Sequence, residues 1–217
     1  MNLQEDLKKI QEGFSGQIPQ EVLDIMQRST ETLIQSGIEE NCLKVGDKMP
    51  VFTLANAMNE KISSDMLLKD GPLVINFYRG GWCPYCNLEL QAFQDVLPQI
   101  TELGAQLVAI SPNLPDKSLS SIEKHALSFQ VLSDVQNKVS HQFGLVYTLD
   151  ETLQPLYKQM GIDLPEFNGD ESYELPLPAT YVVDSKGIIK LAFAPADYTK
   201  RLDPNKVIEI LKELRHE

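Results

Sequence analysis

The stretch FYRGGWCPYCNLELQAF, residues 77–93, constrains the fold more than any other part of the sequence. It begins at the end of a continuous apolar run, Leu73 to Tyr78, which is typical of a buried strand. It continues into Leu88 to Ile100, where the apolar residues have helical spacing. Two of the three cysteines in the chain, Cys83 and Cys86, therefore lie where a buried strand turns into a helix.

A cysteine pair in this position is suited to redox chemistry. A thiol is a poor nucleophile until it loses its proton, and the free N–H groups and the dipole at a helix N-terminus stabilise the thiolate. Cys83 is placed for this effect, because Pro84 suits the first helical position and Gly80-Gly81 let the strand turn sharply. Cys86 follows one turn later, so either thiol can attack a bond that the other has formed. The spacing predicts a pair that alternates between dithiol and disulfide.

The overall composition narrows the partners and the compartment. The 217 residues carry a formal net charge of -12, which repels phosphate backbones and anionic lipid head groups. We therefore expect no nucleic acid and no membrane partner. The first ten residues mix charges of both signs, and no apolar run approaches the roughly 20 residues of a membrane span, so we expect a cytoplasmic protein. Structural disulfides are rare in that compartment, so a close cysteine pair there is more often redox-active or metal-binding.

Other interpretations of the cysteines stay open at this point. A zinc site needs four ligands, and beyond the pair the chain offers Cys42 and three scattered histidines. If Cys83 and Cys86 were two ordinary buried cysteines, the presence of Trp82 and the double glycine at the turn would be unexplained. Redox chemistry that needs no metal and no organic cofactor explains the whole stretch. Cys42 is either a third, resolving or intersubunit thiol, or a buried inert one.

The chain divides into an N-terminal helical extension, residues 1–43, and a larger domain, residues 44–217. Apolar residues recur on one face of a first helix: Leu3, Leu7, Ile10 and Phe14. Gly13 and Gly16 are expected to break this helix, and Pro19 to open a second one. The apolar faces of both helices must be covered, either by the larger domain or by a second subunit in a homodimer.

The larger domain alternates strand-like and helical segments, which favours a central sheet covered by helices on both faces. Further strands are expected at 105–110, 129–132, 180–183 and 188–193, and a closing helix at 204–214. Residues 150–178 are irregular and rich in proline, so we expect an ordered insertion near one rim of the sheet.

These motifs resemble a known family. WCPYC after a strand is similar to the active-site turn of thioredoxin-fold proteins, with Trp82 before the pair as in thioredoxins. More of the chain resembles the alkyl hydroperoxide reductase and thiol-specific antioxidant family, the peroxiredoxins. The segments that carry this resemblance are VGDKMPVFTL, VINFYRGGWCPYCNLELQAFQD, LVAISPNLPDKSLSSI, FQVLSDVQNKVSHQFGL and LPATYVVDSKGII. The resemblance covers residues 45 to about 214 and implies a thioredoxin-like α/β fold, a three-layer sandwich with a central mixed sheet.

The register of the family's active-site motif is informative. Its Pro-xxx-Thr-xx-Cys pattern puts the peroxidatic cysteine at Cys86, the threonine at Cys83 and the proline at Arg79. Glu89 falls where the family has a glutamate, and the family's catalytic arginine falls at Pro178. The resemblance therefore implies that the proline, threonine and arginine of the peroxide site are absent, as in a subgroup with a Cys-xx-Cys pair.

Three supporting residues carry further expectations. Arg79 would lower a thiol pKa or hold a carboxylate of glutathione, unless it is a solvated surface arginine. Glu89 is either a polar group below the helix start or an exposed helix glutamate. Pro178 stands where thioredoxin-like proteins keep a cis-proline whose backbone pairs with a thiol partner; an ordinary trans proline is the alternative. Asp197-Tyr198 and Arg201, in the loop before the last helix, could line the cleft, although no spacing argument places them there.

The resemblance implies an antioxidant oxidoreductase, a thiol-dependent peroxidase that reduces hydroperoxides through a reversible Cys83–Cys86 disulfide. An external thiol, from a thioredoxin-like protein or glutathione, would reduce that disulfide. Cys86 attacks first in the family register, whereas Cys83 attacks first in thioredoxin-like exchange. Two other functions stay open: exchange with a protein or glutathione disulfide, and a redox sensor without catalysis.

Overall fold

The computed structural model describes residues 2–215, except the side chains of residues 15, 119–121 and 124. Residue 1 of the predicted extension and residues 216–217 of the predicted domain lie outside this range. The described helices are α1 (Leu3–Gln17), α2 (Gln20–Gln35), α3 (Ile38–Asn41), α4 (Ser64–Lys69), α5 (Pro84–Glu102), α6 (Pro115–His125), α7 (Lys138–Gln142), α8 (Gln154–Gln159), α9 (Leu164–Asn168) and α10 (Pro204–Leu214). A 3-10 helix, Val135–Asn137, precedes α7.

The strands form a large mixed sheet and a small antiparallel one. They are β1 (Thr53–Asn56), β2 (Lys61–Ser63), β3 (Leu73–Phe77), β4 (Gln106–Ser111), β5 (Gln130–Ser133), β6 (Val146–Thr148), β7 (Glu174–Pro176), β8 (Ala179–Val183) and β9 (Ile189–Phe193). The large sheet has the order β2-β1-β5-β4-β3-β8-β9. β3 pairs in parallel with β4 and antiparallel with β8, so it lies inside the sheet. Every residue of β3 is buried, which explains its almost uninterrupted apolar sequence.

Side chains of β3 alternate between two cores on opposite faces of the sheet. Val74 contributes to the core that α1, α5 and α10 cover. Leu73, Ile75 and Phe77 contribute to the core on the other face, which includes Leu67 of α4 and Val139 of α7. The helices therefore cover both faces, and the predicted three-layer α/β fold with a central mixed sheet is confirmed.

The first helix of the extension packs on the domain of the same chain. Leu3 and Leu7 are buried in the core to which α5 and α10 contribute, α1 packs on α5, and Phe14 packs at the edge of that core. α1 runs unbroken through Gly13 and Gly16, so the expected break is wrong. Each glycine costs a helix roughly 1 kcal/mol, and burial of two leucines outweighs that cost.

The second helix of the extension lies more loosely on the domain. α2 follows Pro19 and buries none of its side chains completely. Its half-buried Ile25 and Met26 pack against the core of the insertion, and Leu33 packs against the second face of the sheet. The apolar stripe of α2 is thus covered in part by its own chain.

The insertion has a small core of its own. The buried members of this core are Leu149, Leu153, Tyr157, Leu164 and Leu175. Residues 150–178 include α8, α9 and β7, and β7 pairs antiparallel with β6, a pairing that the sequence did not predict. Within residues 2–215, every helix is too short or too polar to cross a bilayer.

Candidate active site

A glycine turn joins β3 to α5. Gly80 has a φ of 144°, and a Cβ at this position would lie 2.4 Å from the indole nitrogen of Trp82. The N–H of Gly81 donates to Oδ1 of Asn113 at 3.0 Å, and Nδ2 of Asn113 donates to Oδ1 of Asn168 at 2.8 Å. Glycine is required at position 80, and the turn is fixed to the insertion through two asparagines.

Cys83 is the N-terminal cap of α5, and Pro84 is the first residue of that helix. The Cys83 side chain is buried, with 1% exposed. Burial by itself would raise the pKa of Cys83, but a hydrogen bond with the Cys86 thiol and the charges of Arg79 and Arg201 outweigh it and lower the pKa to about 6. Cys83 is therefore a thiolate at neutral pH, as its position at the helix start favours.

Cys86 has the opposite environment one turn further along α5. It is fully buried, and Nη2 of Arg201 donates to its Sγ at 3.2 Å. Burial, together with the hydrogen bond and charge of Cys83, holds the pKa of Cys86 well above its ordinary value. The pair is reduced, and the two pKa shifts favour a thiolate at Cys83 and a protonated thiol at Cys86.

Arg79 lies in a cage of aromatic side chains. Its guanidinium carbon is 4.4 Å from the ring centre of Tyr198 and 5.0 Å from that of Trp82. Nη2 of Arg79 donates to the hydroxyl of Tyr157 at 2.7 Å, and the residue is 2% exposed. Arg79 is therefore buried rather than a solvated surface arginine, and its charge acts on the Cys83 thiolate.

Glu89 and Arg201 form a buried ion pair next to Cys86. Nε of Arg201 lies 2.7 Å from Oε2 of Glu89, and each side chain is 1% exposed. Burial raises the pKa of Glu89 to about 7, although the charge of Arg201 opposes this shift. Arg201 also donates to the carbonyls of Tyr198 and Lys200. Glu89 is thus a buried polar group behind the pair and not an exposed helix glutamate.

Arg201 brings a second arginine to the site, although the family's catalytic arginine is absent from position 178. Position 178, where the family register puts the catalytic arginine, holds a proline, but Arg201 brings a guanidinium to Cys86 from the loop before α10. The two residues are 115 positions apart in the chain. A sequence motif does not extend over that distance. The prediction that Arg201 lines the cleft therefore had no spacing argument behind it.

A pocket of about 400 Å³ opens beside Cys83. The turn and the start of α5 form one wall, which includes Arg79, Trp82, Cys83 and Tyr85. The remaining walls come from the extension, the insertion and the loop before α10: Phe14, Ile18, Met26, Tyr157, Met160, Ile162 and Tyr198. Cys86 and Glu89 do not line this pocket. Of the two thiols, Cys83 is the one that a small molecule in the pocket would meet.

Pro178 does not have the geometry expected of it. Residues 2–215 contain no cis peptide bond, so Pro178 is a trans proline between β7 and β8, and the expectation of a cis-proline is wrong. Pro178 is buried and does not line the pocket beside Cys83. The strand register accounts for its place, since Ala179 pairs with Phe77 at the end of β3 directly before the turn.

Cys42 lies apart from the pair, in the core on the other face of the sheet. Its Sγ contacts the carbonyl oxygens of Ile38 and Gly144 at 3.6 Å and 3.5 Å, and burial raises its pKa to about 11. These surroundings are those of a buried inert thiol. Within the described part of the chain, no three His, Cys, Asp or Glu side chains are grouped to hold a metal ion.

Known proteins similar to this chain agree with the fold. The chloroplastic peroxiredoxin Q of Populus jackii is 29% identical over 171 residues, which are 78% of this chain and 67% of that protein. Its counterpart from Sedum lineare is 29% identical over 171 residues, 78% of this chain and 77% of that protein. The crystal structure of peroxidoxin BcpB from Mycobacterium tuberculosis covers 79% of this chain and 98% of its own, with a TM-score of 0.62 at 23% identity.

The AhpC/TSA family pattern matches residues 45–192, about two thirds of the chain. The match begins at the residue where the sequence resemblance begins, and the helical extension lies outside it. It confirms the predicted family and supports the predicted enzyme class, a thiol-dependent peroxidase. The chain belongs to the AhpC/TSA family, that of the peroxiredoxins.

Proposed function

We propose that this protein reduces hydroperoxides through a reversible Cys83–Cys86 disulfide, with Cys83 as the attacking thiolate. One observation carries the choice of cysteine. Of the two thiols in the pair, Cys83 lines the pocket and has a lowered pKa, whereas Cys86 is enclosed and has a raised one. The family register places the peroxidatic cysteine at position 86. In the mechanism proposed here, Cys86 is instead the resolving thiol, which attacks second.

The first step breaks the O–O bond of the hydroperoxide. The Cys83 thiolate attacks one oxygen of ROOH, its sulfur is oxidised to a sulfenic acid, and RO⁻ leaves and takes a proton from solvent to become ROH. Arg79, buried beside the same pocket, stabilises the negative charge that develops on the departing oxygen. Arg79 would thus have the role of the family's catalytic arginine.

The second step forms the disulfide. The Cys86 sulfur attacks the Cys83 sulfenic sulfur, the S–O bond breaks, and the hydroxide that leaves becomes water with the proton that Cys86 gives up. Arg201 donates to Cys86 and holds Glu89 beside it. Because the Glu89 pKa is about 7, that carboxylate can accept the Cys86 proton and pass it on at neutral pH.

An external thiol completes the cycle. Two thiol equivalents reduce the Cys83–Cys86 disulfide and leave as a disulfide themselves. The reductant that we infer is a thioredoxin-like protein or glutathione, in the cytoplasm. Trp82 and Pro84, at the open side of the pair, would contact it, since both line the pocket. The homodimer, the reductant and the supporting role of Pro178 stay predictions.

Disulfide exchange is the second candidate, and the same cysteine favours it. Cys83 is the helix-capping thiolate, which is the attacking position in thioredoxin-like exchange. A protein disulfide needs an exposed sulfur for in-line attack, whereas the Cys83 side chain is 1% exposed and lies at a pocket. The geometry therefore favours small oxidants over protein disulfides.

A rapid-mixing experiment tests the assignment. The reduced protein is mixed with a hydroperoxide or with glutathione disulfide while fluorescence of Trp82, the single tryptophan, is followed. Cys86→Ser is expected to keep the first step and to accumulate a sulfenic acid on Cys83, which a carbon nucleophile traps for mass spectrometry. Cys83→Ser is expected to slow oxidation at least a thousandfold, a loss typical of removing a nucleophile. Cys42→Ser, which removes a thiol from the other core, is the control and should react like the wild type.

The outcomes separate the candidates. A sulfenic acid that forms on Cys86 in Cys83→Ser at the wild-type rate would refute Cys83 as attacker and restore the family register. Reaction with disulfides but not with hydroperoxides would favour exchange. If the protein reacts with neither oxidant, a redox sensor without catalysis is the candidate function that remains.

A further inference from the structure

We propose that Asn76 and Thr180, two polar side chains inside the sheet, are positioning residues that hold Glu89 ready to accept a proton. They would thereby set the pH at which the disulfide closes. This inference rests on the proposed function, in which Glu89 takes the proton that Cys86 gives up, and it adds a regulating layer behind the cysteine pair.

The first observation is a polar pair in the middle of a buried sheet. Asn76 is the one polar residue of β3, and both it and Thr180, its partner in the register of β8, are fully buried. Nδ2 of Asn76 donates to Oγ1 of Thr180 at 3.2 Å, whereas Oδ1 of Asn76 has no hydrogen-bond partner in the described part of the chain. An unpaired buried acceptor costs stability, so an apolar pair would serve packing better.

Both side chains face the active-site helix. Residues two positions apart on a strand share a face of the sheet. Val74 and Val182 belong to the core that α5 covers, so Asn76 and Thr180 face α5 as well. Glu89 is buried on that helix, and the Asn76 side chain forms a hydrogen bond with its carboxyl group. The polar pair therefore lies directly beneath Glu89.

A continuous row of buried polar groups leads from the sheet to the second thiol. Thr180 contacts Asn76, and Asn76 contacts Glu89. Nε of Arg201 then lies 2.7 Å from Oε2 of Glu89, and Nη2 of Arg201 donates to Sγ of Cys86 at 3.2 Å. At most 4% of each of these residues is exposed. Hydrogen bonds are stronger in such a low-dielectric interior, so each contact in the row affects the next.

The direction of the Asn76 amide decides which form of Glu89 it favours. Burial alone favours the neutral acid, which cannot accept a proton. An N–H donor favours the carboxylate, and Nδ2 carries two hydrogens, enough for both Thr180 and Glu89. An amide turned the other way would present Oδ1 and favour the acid. Thr180 fixes the direction that keeps Glu89 able to accept a proton.

The other groups around Glu89 narrow the source of a titration near neutral pH. Arg201 lowers the pKa of Glu89, and a charge on Cys86 would raise it. Tyr78, at the end of β3, interacts with Cys86, but its pKa is raised to about 12, so it is neutral at pH 7. The residues that α1, α6, α10 and β4 pack into this core include Leu7, Leu107, Ile122, Val207, Ile208 and Leu211. We therefore assign a midpoint near pH 7 for closure to Glu89.

An aromatic disulfide, dithiobis(nitrobenzoate), measures closure without a peroxide. The Cys83 thiolate attacks the S–S bond of the reagent and releases one coloured thiolate. Cys86 then attacks the Cys83 sulfur, the mixed disulfide breaks, a second coloured thiolate leaves, and the Cys86 proton goes to Glu89. The rate of the second release, measured from about pH 5 to about pH 9 in a Cys42→Ser background, gives the midpoint for closure.

Asn76→Leu should raise this midpoint by about one to two units, because a hydrogen bond to the carboxylate is lost. At pH 7 the second release should then be about fivefold to fiftyfold slower, since less Glu89 is ionised, whereas the first release should stay within about twofold of the wild type. Thr180→Val keeps the shape of the side chain and should raise the midpoint by about half a unit. Thr180→Ser keeps the hydroxyl and should restore the wild-type midpoint.

Asn56→Leu is the matched control. Asn56 is a buried strand asparagine on β1, separated from β3 by two strands, and its Nδ2 donates to Oε2 of Glu60 at 2.9 Å. This variant should lose stability and keep the wild-type midpoint. Circular dichroism and thermal unfolding check that all the variants fold.

The outcomes keep the two proposals apart. A wild-type midpoint in both Asn76→Leu and Thr180→Val would overturn the positioning role, even if the variants are less stable, and would leave the peroxidase function intact. Conversely, a raised midpoint supports the positioning role whether or not hydroperoxides oxidise Cys83, because the reagent is not a peroxide. An equal shift in Asn56→Leu would attribute the effect to lost stability and would also overturn the role.

Discussion

Cys83 and Cys86 lie on the same helix, one turn apart, and each has its own buried arginine, yet their surroundings produce opposite behaviour. Cys83 caps the helix, lines the pocket and lies near the charge of Arg79. Within the described site, Arg79 forms no ion pair with a carboxylate. Cys86 lies inside the core, where the charge of its partner Arg201 is shared with Glu89. Burial, the hydrogen bond between the two thiols and the nearby arginine charges act together with the helix start to put the negative charge on Cys83.

This comparison divides the site into two halves with separate tasks. In the mechanism that we propose, the Cys83 half contains the thiolate, Arg79 and the pocket, and it meets the substrate. In the same mechanism, the Cys86 half contains the proton, Arg201 and Glu89, and it closes the disulfide. The halves meet where the two thiols share a hydrogen bond, and the charge of Arg201 reaches Cys83, but Arg79 and Glu89 can each be replaced separately, so the division is open to test.

The largest effect is expected in the Cys86 half. Arg201→Met removes the partner of buried Glu89 and the donor to Cys86, and it should lower the free energy of unfolding by about 3–5 kcal/mol, as for other broken buried ion pairs. Urea unfolding at pH 7 measures the loss. Lys200→Met is the control, because the Lys200 side chain is 68% exposed and its removal should cost less than about 0.5 kcal/mol. A loss below about 1 kcal/mol for Arg201→Met would show that the ion pair is not structural.

Local sequence signals were sufficient for half of this site. The strand, glycine turn and helix from β3 to α5 follow from an apolar run, two glycines and a proline that are adjacent in the chain. The same stretch indicates Cys83 as the thiolate, because a helix start favours a thiolate, and the contacts with Cys86, Arg79 and Arg201 add to this effect. Family register and helix physics pointed to different cysteines, and the structure favours the helix physics.

The other half depends on contacts between distant parts of the chain. Arg201 reaches Cys86 across 115 positions, and the hydroxyl of Tyr157 reaches Arg79 across 78. The β6–β7 pair likewise joins a strand just before the insertion to a strand near its end. Such contacts are set by how loops pack on a finished sheet, and a single sequence has no periodic pattern that records them.

The sign of the pH dependence gives the next test. The pKa of Glu89 is raised from 4.5 to about 7 in the folded protein, so its stabilising contribution is present below pH 4.5 and is lost as the pH rises to about 7. Glu89→Gln should remove this pH-dependent loss in the free energy of unfolding, which is on the order of 3 kcal/mol between pH 4.5 and pH 7. Unfolding in urea at a series of pH values measures it, and the exposed Glu213→Gln serves as the control.

Cys83 should show the reverse sign in the reduced protein. Its pKa falls from 9.0 to about 6 on folding, so its contribution is present above pH 9 and is lost as the pH falls through 6. Cys83→Ser should therefore remove a gain in stability between pH 6 and pH 9, whereas Glu89→Gln acts between pH 4.5 and pH 7. Two variants with the same pH profile would contradict the division of the site.

Arg79→Met should act on the charge of Cys83 with less effect on stability. Loss of the Arg79 charge lets the thiolate take up a proton, so the pKa of Cys83 should rise by about one unit, worth ~1.4 kcal/mol. The pH profile of Cys83 alkylation, followed by mass spectrometry, measures the shift. Lys158→Met, next to the Arg79 partner Tyr157 in sequence but paired with Asp163, is the control. An unchanged midpoint would assign the low pKa to the helix start and to Arg201.

The smallest effect is expected at Tyr157. Tyr157→Phe keeps the ring that lies against Trp82, at 5.7 Å between centres, and removes the hydroxyl that accepts from Arg79. Without that hydrogen bond the guanidinium is held less firmly towards Cys83, so the pKa of Cys83 should rise by a few tenths of a unit, and stability should fall by about 1 kcal/mol. The same alkylation profile measures the shift, with Tyr173→Phe, outside the pocket, as the control. A shift as large as that of Arg79→Met would mean that orientation of the guanidinium, and not its charge alone, makes Cys83 a thiolate.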